Sequence, residues 1–215
     1  MLRKIGTWLR KNPTVLPLGT LALVLILGAV MLYGGGAGKP APAVSEDGPV
    51  AIGGPFRLTG PDGQTVTEKS FPGKWTLVFF GYTFCPDVCP TTMIDIAKAL
   101  ELLGPRAESI QPLFITVDPK RDTPAVLKGY IANFDKRIMG LSGSPEAVAD
   151  TLKAYRVYAA ERTDTSGGPA LFDHSAIIYL MKPSGAYAAF FTAGISGQDL
   201  AQGIGKAMDE KGEKE

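Results

Sequence analysis

Phe79-Phe80-Gly81-Tyr82-Thr83-Phe84-Cys85-Pro86-Asp87-Val88-Cys89-Pro90 is the stretch on which the reading of this 215-residue chain turns. It holds both cysteines of the protein, with three residues between them. Residues 75–80 (Trp-Thr-Leu-Val-Phe-Phe) are aromatic and β-branched over a short run, which predicts a buried strand. Downstream, Met93, Ile96, Ala97, Leu100 and Leu103 recur at helical spacing. Pro90 suits the first helical position, where its missing N–H costs nothing. Cys89 then sits at the cap and Cys85 in the loop leading to it. A thiol there meets free N–H groups and the positive end of the helix dipole, which favours thiolate. Thiolate is both nucleophile and metal ligand, so the chemistry is expected here.

Outward from this stretch, residues 56–66 alternate around Pro61-Asp62-Gly63 as a hairpin with a tight turn. Residues 113–117 (Leu-Phe-Ile-Thr-Val) predict a second buried strand, ended by Asp118-Pro119. Thr123 before Pro124 caps a helix with Val126, Leu127, Tyr130, Ile131 and Phe134 on one face. Ser144-Pro145-Glu146 opens another, carrying Val148, Leu152 and Tyr155. Residues 176–181 and 187–191 are two strands joined at Pro183-Ser184-Gly185. Ser196 with Asp199 forms a capping box for a last helix with Leu200, Ile204 and Met208. The order is hairpin, β-α-β-α with an added helix, then β-β-α. That pattern implies an α/β, partly parallel sheet with an antiparallel edge, the thioredoxin-like plan with an N-terminal β-hairpin extension. In such sheets, sites form at the carboxyl ends of parallel strands, where the cysteine loop lies.

The rest of the chain divides by composition. Residues 1–13 carry Arg3, Lys4, Arg10 and Lys11, and the first acidic residue of the chain is Glu46. Residues 14–33 are uncharged and mostly apolar, long enough as a helix to span about 30 Å, one hydrocarbon core. The basic residues before it keep the N-terminus cytoplasmic and place the following domain outside, on the periplasmic side of an inner membrane. The rival reading is a cleaved signal peptide, with Ala41-Pro42-Ala43 as the cleavage site. Residues 34–54, rich in Gly, Pro and Ala, read as a flexible linker. The folded, site-bearing domain is expected over 55–208, and the charged tail 209–215 is expected to fray. Beyond the anchor the chain is mildly acidic, which gives no electrostatic reason to propose nucleic acid as a partner.

His174, the one histidine, stands in Leu171-Phe172-Asp173-His174-Ser175, just before the first strand of the closing hairpin. On the thioredoxin-like plan, the loop entering that strand faces the cysteine loop. His174 can then reach Cys85 and Cys89 across 84 intervening residues. Two thiolates with one imidazole suit cuprous copper, and also cupric copper or zinc. Three ligands leave room for one from a partner, unlike a closed four-ligand structural zinc site. Asp173 either orients the imidazole or turns the chain before the strand. Asp87 either tunes the site or faces solvent. Pro86 and Pro90 shape the loop, and Asp118 reads as a strand-end residue.

The run 81–90 with Asp173-His174-Ser175 resembles the Sco/SenC family of copper-handling cytochrome oxidase assembly proteins. Gly53-Gly54-Pro55-Phe56 and Val117-Asp118-Pro119 match the same pattern. The resemblance implies a thioredoxin-like domain binding one copper ion, Cu(I) or Cu(II), through Cys85, Cys89 and His174. It also implies a role in maturing the dinuclear copper centre of cytochrome c oxidase subunit II, with a copper-donor chaperone upstream. Residues 158–172 fall outside the match. Two other classes compete. A thiol–disulfide oxidoreductase would use Cys85 and Cys89 catalytically, to reduce the target's cysteines, and be reset by a thioredoxin-like reductant. It would prefer two residues between its cysteines and a cis-proline facing them. A thiol peroxidase on this fold needs neither the second cysteine nor the histidine.

Overall fold

The computed structural model describes residues 51–162 and 169–210. The apolar run before the cysteines is the centre of the molecule. It forms β3 (Trp75–Gly81), the middle strand of a five-stranded sheet. The domain begins with an antiparallel hairpin of β1 (Arg57–Thr59) and β2 (Thr65–Thr67), as the Pro61-Asp62-Gly63 turn predicts. After β3 come α1 (Val88–Leu102), a 3-10 turn (Gly104–Ser109) and β4 (Ile110–Thr116). Next are α2 (Pro124–Ile131), β5 (Met139–Leu141) and α3 (Pro145–Ala154). A second hairpin, β6 (Ala159–Arg162) with β7 (Leu171–His174), leads to β8 (Ile177–Met181), β9 (Tyr187–Thr192) and α4 (Gly197–Asp209).

The sheet order is β5-β4-β3-β8-β9, with β5, β4 and β3 parallel and β8 and β9 antiparallel to their neighbours. The β3-α1-β4 crossover and the closing β8-β9-α4 unit make this a thioredoxin-like α/β fold. β3 is apolar on both faces because both are covered. Phe79 packs on Phe114, which meets Tyr130 from α2; Phe80, on the opposite face, packs on Tyr155 and Tyr179. Phe79, Phe80 and Phe114 are fully buried, each contributing roughly 1.5–3 kcal/mol of apolar transfer.

The helix caps follow the sequence. Thr123 Oγ1 accepts from the Val126 N–H, Ser144 Oγ from Ala147 and Ser196 Oγ from Asp199. Three expectations shift. α1 begins at Val88, not Pro90, so Cys89 lies inside the first turn; Pro90 is tolerated because the first N–H groups of a helix have no intrahelical partner. β4 begins at Ile110, paired with Trp75, although Pro112 interrupts its pattern. His174 ends a strand rather than standing in a loop, because Leu171–His174 pairs with Ala159–Arg162 in the β6–β7 hairpin. Among the described residues no helix is long and apolar enough to cross a membrane. The expected span at 14–33 lies outside them, as do most of the linker and the end of the tail.

Candidate metal centre

Three elements bring the predicted residues together at the carboxyl end of β3. Cys85 lies in the loop after β3, Cys89 in the first turn of α1 and His174 at the end of β7. One ligand atom from each lies within 4.8 Å of the others. Cys89 Sγ is 3.5 Å from His174 Nε2 although the residues are 85 positions apart. Metal bonds of about 2.0–2.3 Å in a trigonal arrangement hold their donors roughly 3.8 Å apart, so this set fits a metal ion with little movement.

Both cysteines are free. Cys89 is fully buried and Cys85 half-buried. The neighbouring Cys89 thiol chiefly holds Cys85 far below the ordinary thiol range. Burial opposes the shift, while His174 and the amides of Asp87 and Cys89 add to it. The same pairing, followed by burial, pushes Cys89 up. The pair therefore keeps one proton on the inner sulfur and exposes a thiolate on the outer one.

His174 is held as a ligand should be. Its Nδ1 lies 3.3 Å from the Ser175 carbonyl oxygen. A carbonyl only accepts, so this contact places a proton on Nδ1 and turns Nε2, the nitrogen able to ligate a metal, towards the sulfurs. Phe79 and Tyr82 wall the imidazole, with ring centroids 6.4 and 5.9 Å away. The Tyr82 hydroxyl accepts from the Phe172 N–H at 3.2 Å, tying the end of the central strand to the hairpin.

The two acidic candidates do not join the cluster through their carboxylates. Asp173 points outward, its side chain 59% exposed and 3.6 Å from Arg162, and the Ser175 carbonyl takes the place expected of it beside Nδ1. Asp87 is exposed and contributes its backbone N–H to Cys85. Two other residues do more. The fully buried Asp122 carboxylate accepts from the Thr83 N–H at 3.0 Å, from Thr83 Oγ1 at 2.5 Å and from Thr116 Oγ1 at 2.7 Å. This pins the start of the cysteine loop to β4. Asp118 is buried, which pushes its carboxyl up, and Arg121 at 3.1 Å draws it back down. Both residues follow a parallel strand at its carboxyl end, and that placement is the signal by which sequence reasoning could have found them.

Residues 44–209 match the SCO1/SenC family model. The chain belongs to that family. It is 40% identical over 159 residues to protein SenC of Rhodobacter capsulatus, covering 74% of this chain and 71% of that one. To the mitochondrial SCO1 homolog 1 of Arabidopsis thaliana it is 39% identical over 162 residues, covering 75% of this chain but 48% of the plant protein, about half its length. Among solved structures, Bradyrhizobium japonicum ScoI with copper bound aligns at 44% identity and a TM-score of 0.67, over 73% of this chain and 99% of that one.

Proposed function

We propose that this SCO1/SenC member is a membrane-anchored copper chaperone of cytochrome c oxidase assembly. It takes one copper ion, Cu(I) or Cu(II), on Cys85, Cys89 and His174 and passes it to the dinuclear centre of subunit II. The observation that carries this reading is the convergence of two sulfurs and one imidazole within 4.8 Å, in a chain 44% identical to a copper-bound ScoI. Soft sulfur with imidazole favours copper over harder ions. Three protein donors leave a position for a ligand from the partner. Cys89 is enclosed and Cys85 reaches the surface, so an incoming thiol meets the ion beside Cys85 and replaces that ligand first. The uncharged run 14–33 supports a single span with the domain on the periplasmic side.

A second reading rests on the Cys85 thiolate beside a protonated Cys89. Cys85 attacks a disulfide of the target, giving a mixed disulfide and releasing one target thiolate. Cys89 loses its proton and displaces the second, leaving a Cys85–Cys89 disulfide and a reduced target. A thioredoxin-like reductant must then supply two electrons to reset the pair. Oxidase activity in copper-limited cells separates the readings. Delivery requires Cys85, Cys89 and His174 alike, with partial rescue by added copper. Normal activity with His174→Ala, alongside failure of both cysteine variants, would overturn delivery and leave thiol–disulfide exchange.

A further inference from the structure

Arg121 offers no metal-ligating atom, yet it touches the segments that carry the ligands. Its Nη2 donates to the Ala170 carbonyl at 3.0 Å, and Ala170 immediately precedes β7, the strand that ends in His174. Its guanidinium carbon lies 4.7 Å from the centroid of the Phe84 ring, and Phe84 immediately precedes Cys85. Its Nε sits 3.1 Å from Oδ2 of the buried Asp118, which fixes the base of the side chain in the loop after β4. A guanidinium can do all this at once because it is planar: a face stacks on an aromatic ring while its edge keeps in-plane contacts.

Both tied segments need an external hold. Phe84 is 47% exposed, so burial does not fix the residue before Cys85. The β6–β7 hairpin is a two-stranded sheet separate from the central one. Such a ribbon is only marginally stable alone. On the inner side Tyr82 holds the hairpin through the Phe172 N–H, and Asp122 holds the loop through Thr83. Arg121 reaches both loop and hairpin from a third segment, the loop after β4.

We propose that Arg121 is a positioning residue: by clamping Phe84 and Ala170 it holds the cysteine loop against the histidine hairpin, and so sets how fast a bound copper ion leaves. This rests on the copper-binding reading above. Release to a partner requires the sulfur and imidazole donors to separate, and the clamp resists that separation. Because Tyr82 and Asp122 retain their own contacts, loss of Arg121 slackens the site without dismantling it.

The test uses the full-length reduced chain, wild type beside Arg121→Met, Arg121→Lys and Phe84→Leu. In the metal-free protein, backbone amides of Leu171–His174 should exchange faster in Arg121→Met, while those of β3 and β4 keep their wild-type rates. Loaded with one copper ion, Arg121→Met should keep its stoichiometry but release copper to excess chelator roughly tenfold faster, the scale of a lost hydrogen bond to a charged group. Its cupric charge-transfer band should shift. Arg121→Lys should recover little, because an ammonium cannot stack and bond along one plane. Phe84→Leu should accelerate release less than Arg121→Met, and the double variant should fall short of the product of the two effects. Unchanged amide exchange in Arg121→Met overturns the proposal, as does a wild-type release rate and spectrum, or equally faster exchange throughout the sheet. A wild-type chain that binds no copper would instead overturn the copper reading, and the amide exchange would still judge the clamp.

Discussion

Gly81 leaves open the space that the sulfur of Cys89 uses: a Cβ at position 81 would lie 2.8 Å from Cys89 Sγ and 2.9 Å from the Phe114 ring. The last residue of the central strand therefore has to be glycine for α1 to bring its thiol this close. Phe114 is fully buried and cannot yield without cost, so Gly81→Ala should push Cys89 Sγ away from His174. Overpacking of this kind costs about 1–3 kcal/mol. Chemical denaturation should show that loss, and copper titration should show weaker binding. Wild-type values in both would mean that the space is not needed.

The thiol pair gives a pH dependence whose sign is set by the direction in which Cys85 is shifted. Cys85 is shifted down, so above its lowered pKa it is thiolate, and its reactivity falls only when pH drops towards that value. Alkylation of the metal-free, reduced protein should therefore be confined to Cys85 and nearly flat between about pH 6 and 9, whereas an ordinary thiol gains thiolate steeply there, with its pKa near 8.5. In Cys89→Ala the neighbouring thiol is lost, and the profile should move up towards the ordinary thiol. A wild-type rate that climbs through pH 8.5 would contradict the shared-proton arrangement.

Asp122 anchors the cysteine loop from beneath, and its removal separates support from ligation. Asp122→Ala leaves the Thr83 N–H and the Thr83 and Thr116 hydroxyls without their acceptor. Unsatisfied buried groups of this kind should cost about 3 kcal/mol. The urea midpoint should fall accordingly. Cys85 alkylation should also quicken as the loop loosens, and unchanged stability would show that water replaces the carboxylate without loss.

What the sequence disclosed follows from how local each signal is. Residues 75–80 announce a strand because every position is apolar, β-branched or aromatic. The cysteine spacing is visible by inspection, and the caps at Thr123, Ser144 and Ser196 are set within three residues. His174 is different: only the thioredoxin-like plan places it opposite the cysteines. β5 is a three-residue Met-Gly-Leu segment with no period to detect. The β6–β7 hairpin has four residues in each strand, too few to read against a Gly- and Ser-containing connection. Arg121 and Asp122 look like solvent-facing charges in a loop, since their partners Ala170 and Thr83 lie 49 and 39 positions away. Asp173 stands open between two readings in the sequence, and the structure takes the one away from the imidazole. Adjacency to His174 suggested contact, but neighbouring strand residues point to opposite faces.

The central claim, that Cys85, Cys89 and His174 together hold one copper ion, is tested most directly by X-ray absorption at the copper edge on the reduced protein loaded with a single equivalent. The account predicts two sulfur neighbours and one imidazole nitrogen around copper in the wild type. His174→Ala should lose the imidazole signature and keep both sulfurs, and Cys89→Ser should lose one sulfur. A wild-type spectrum with only nitrogen and oxygen neighbours, or one that His174→Ala leaves unchanged, would contradict it.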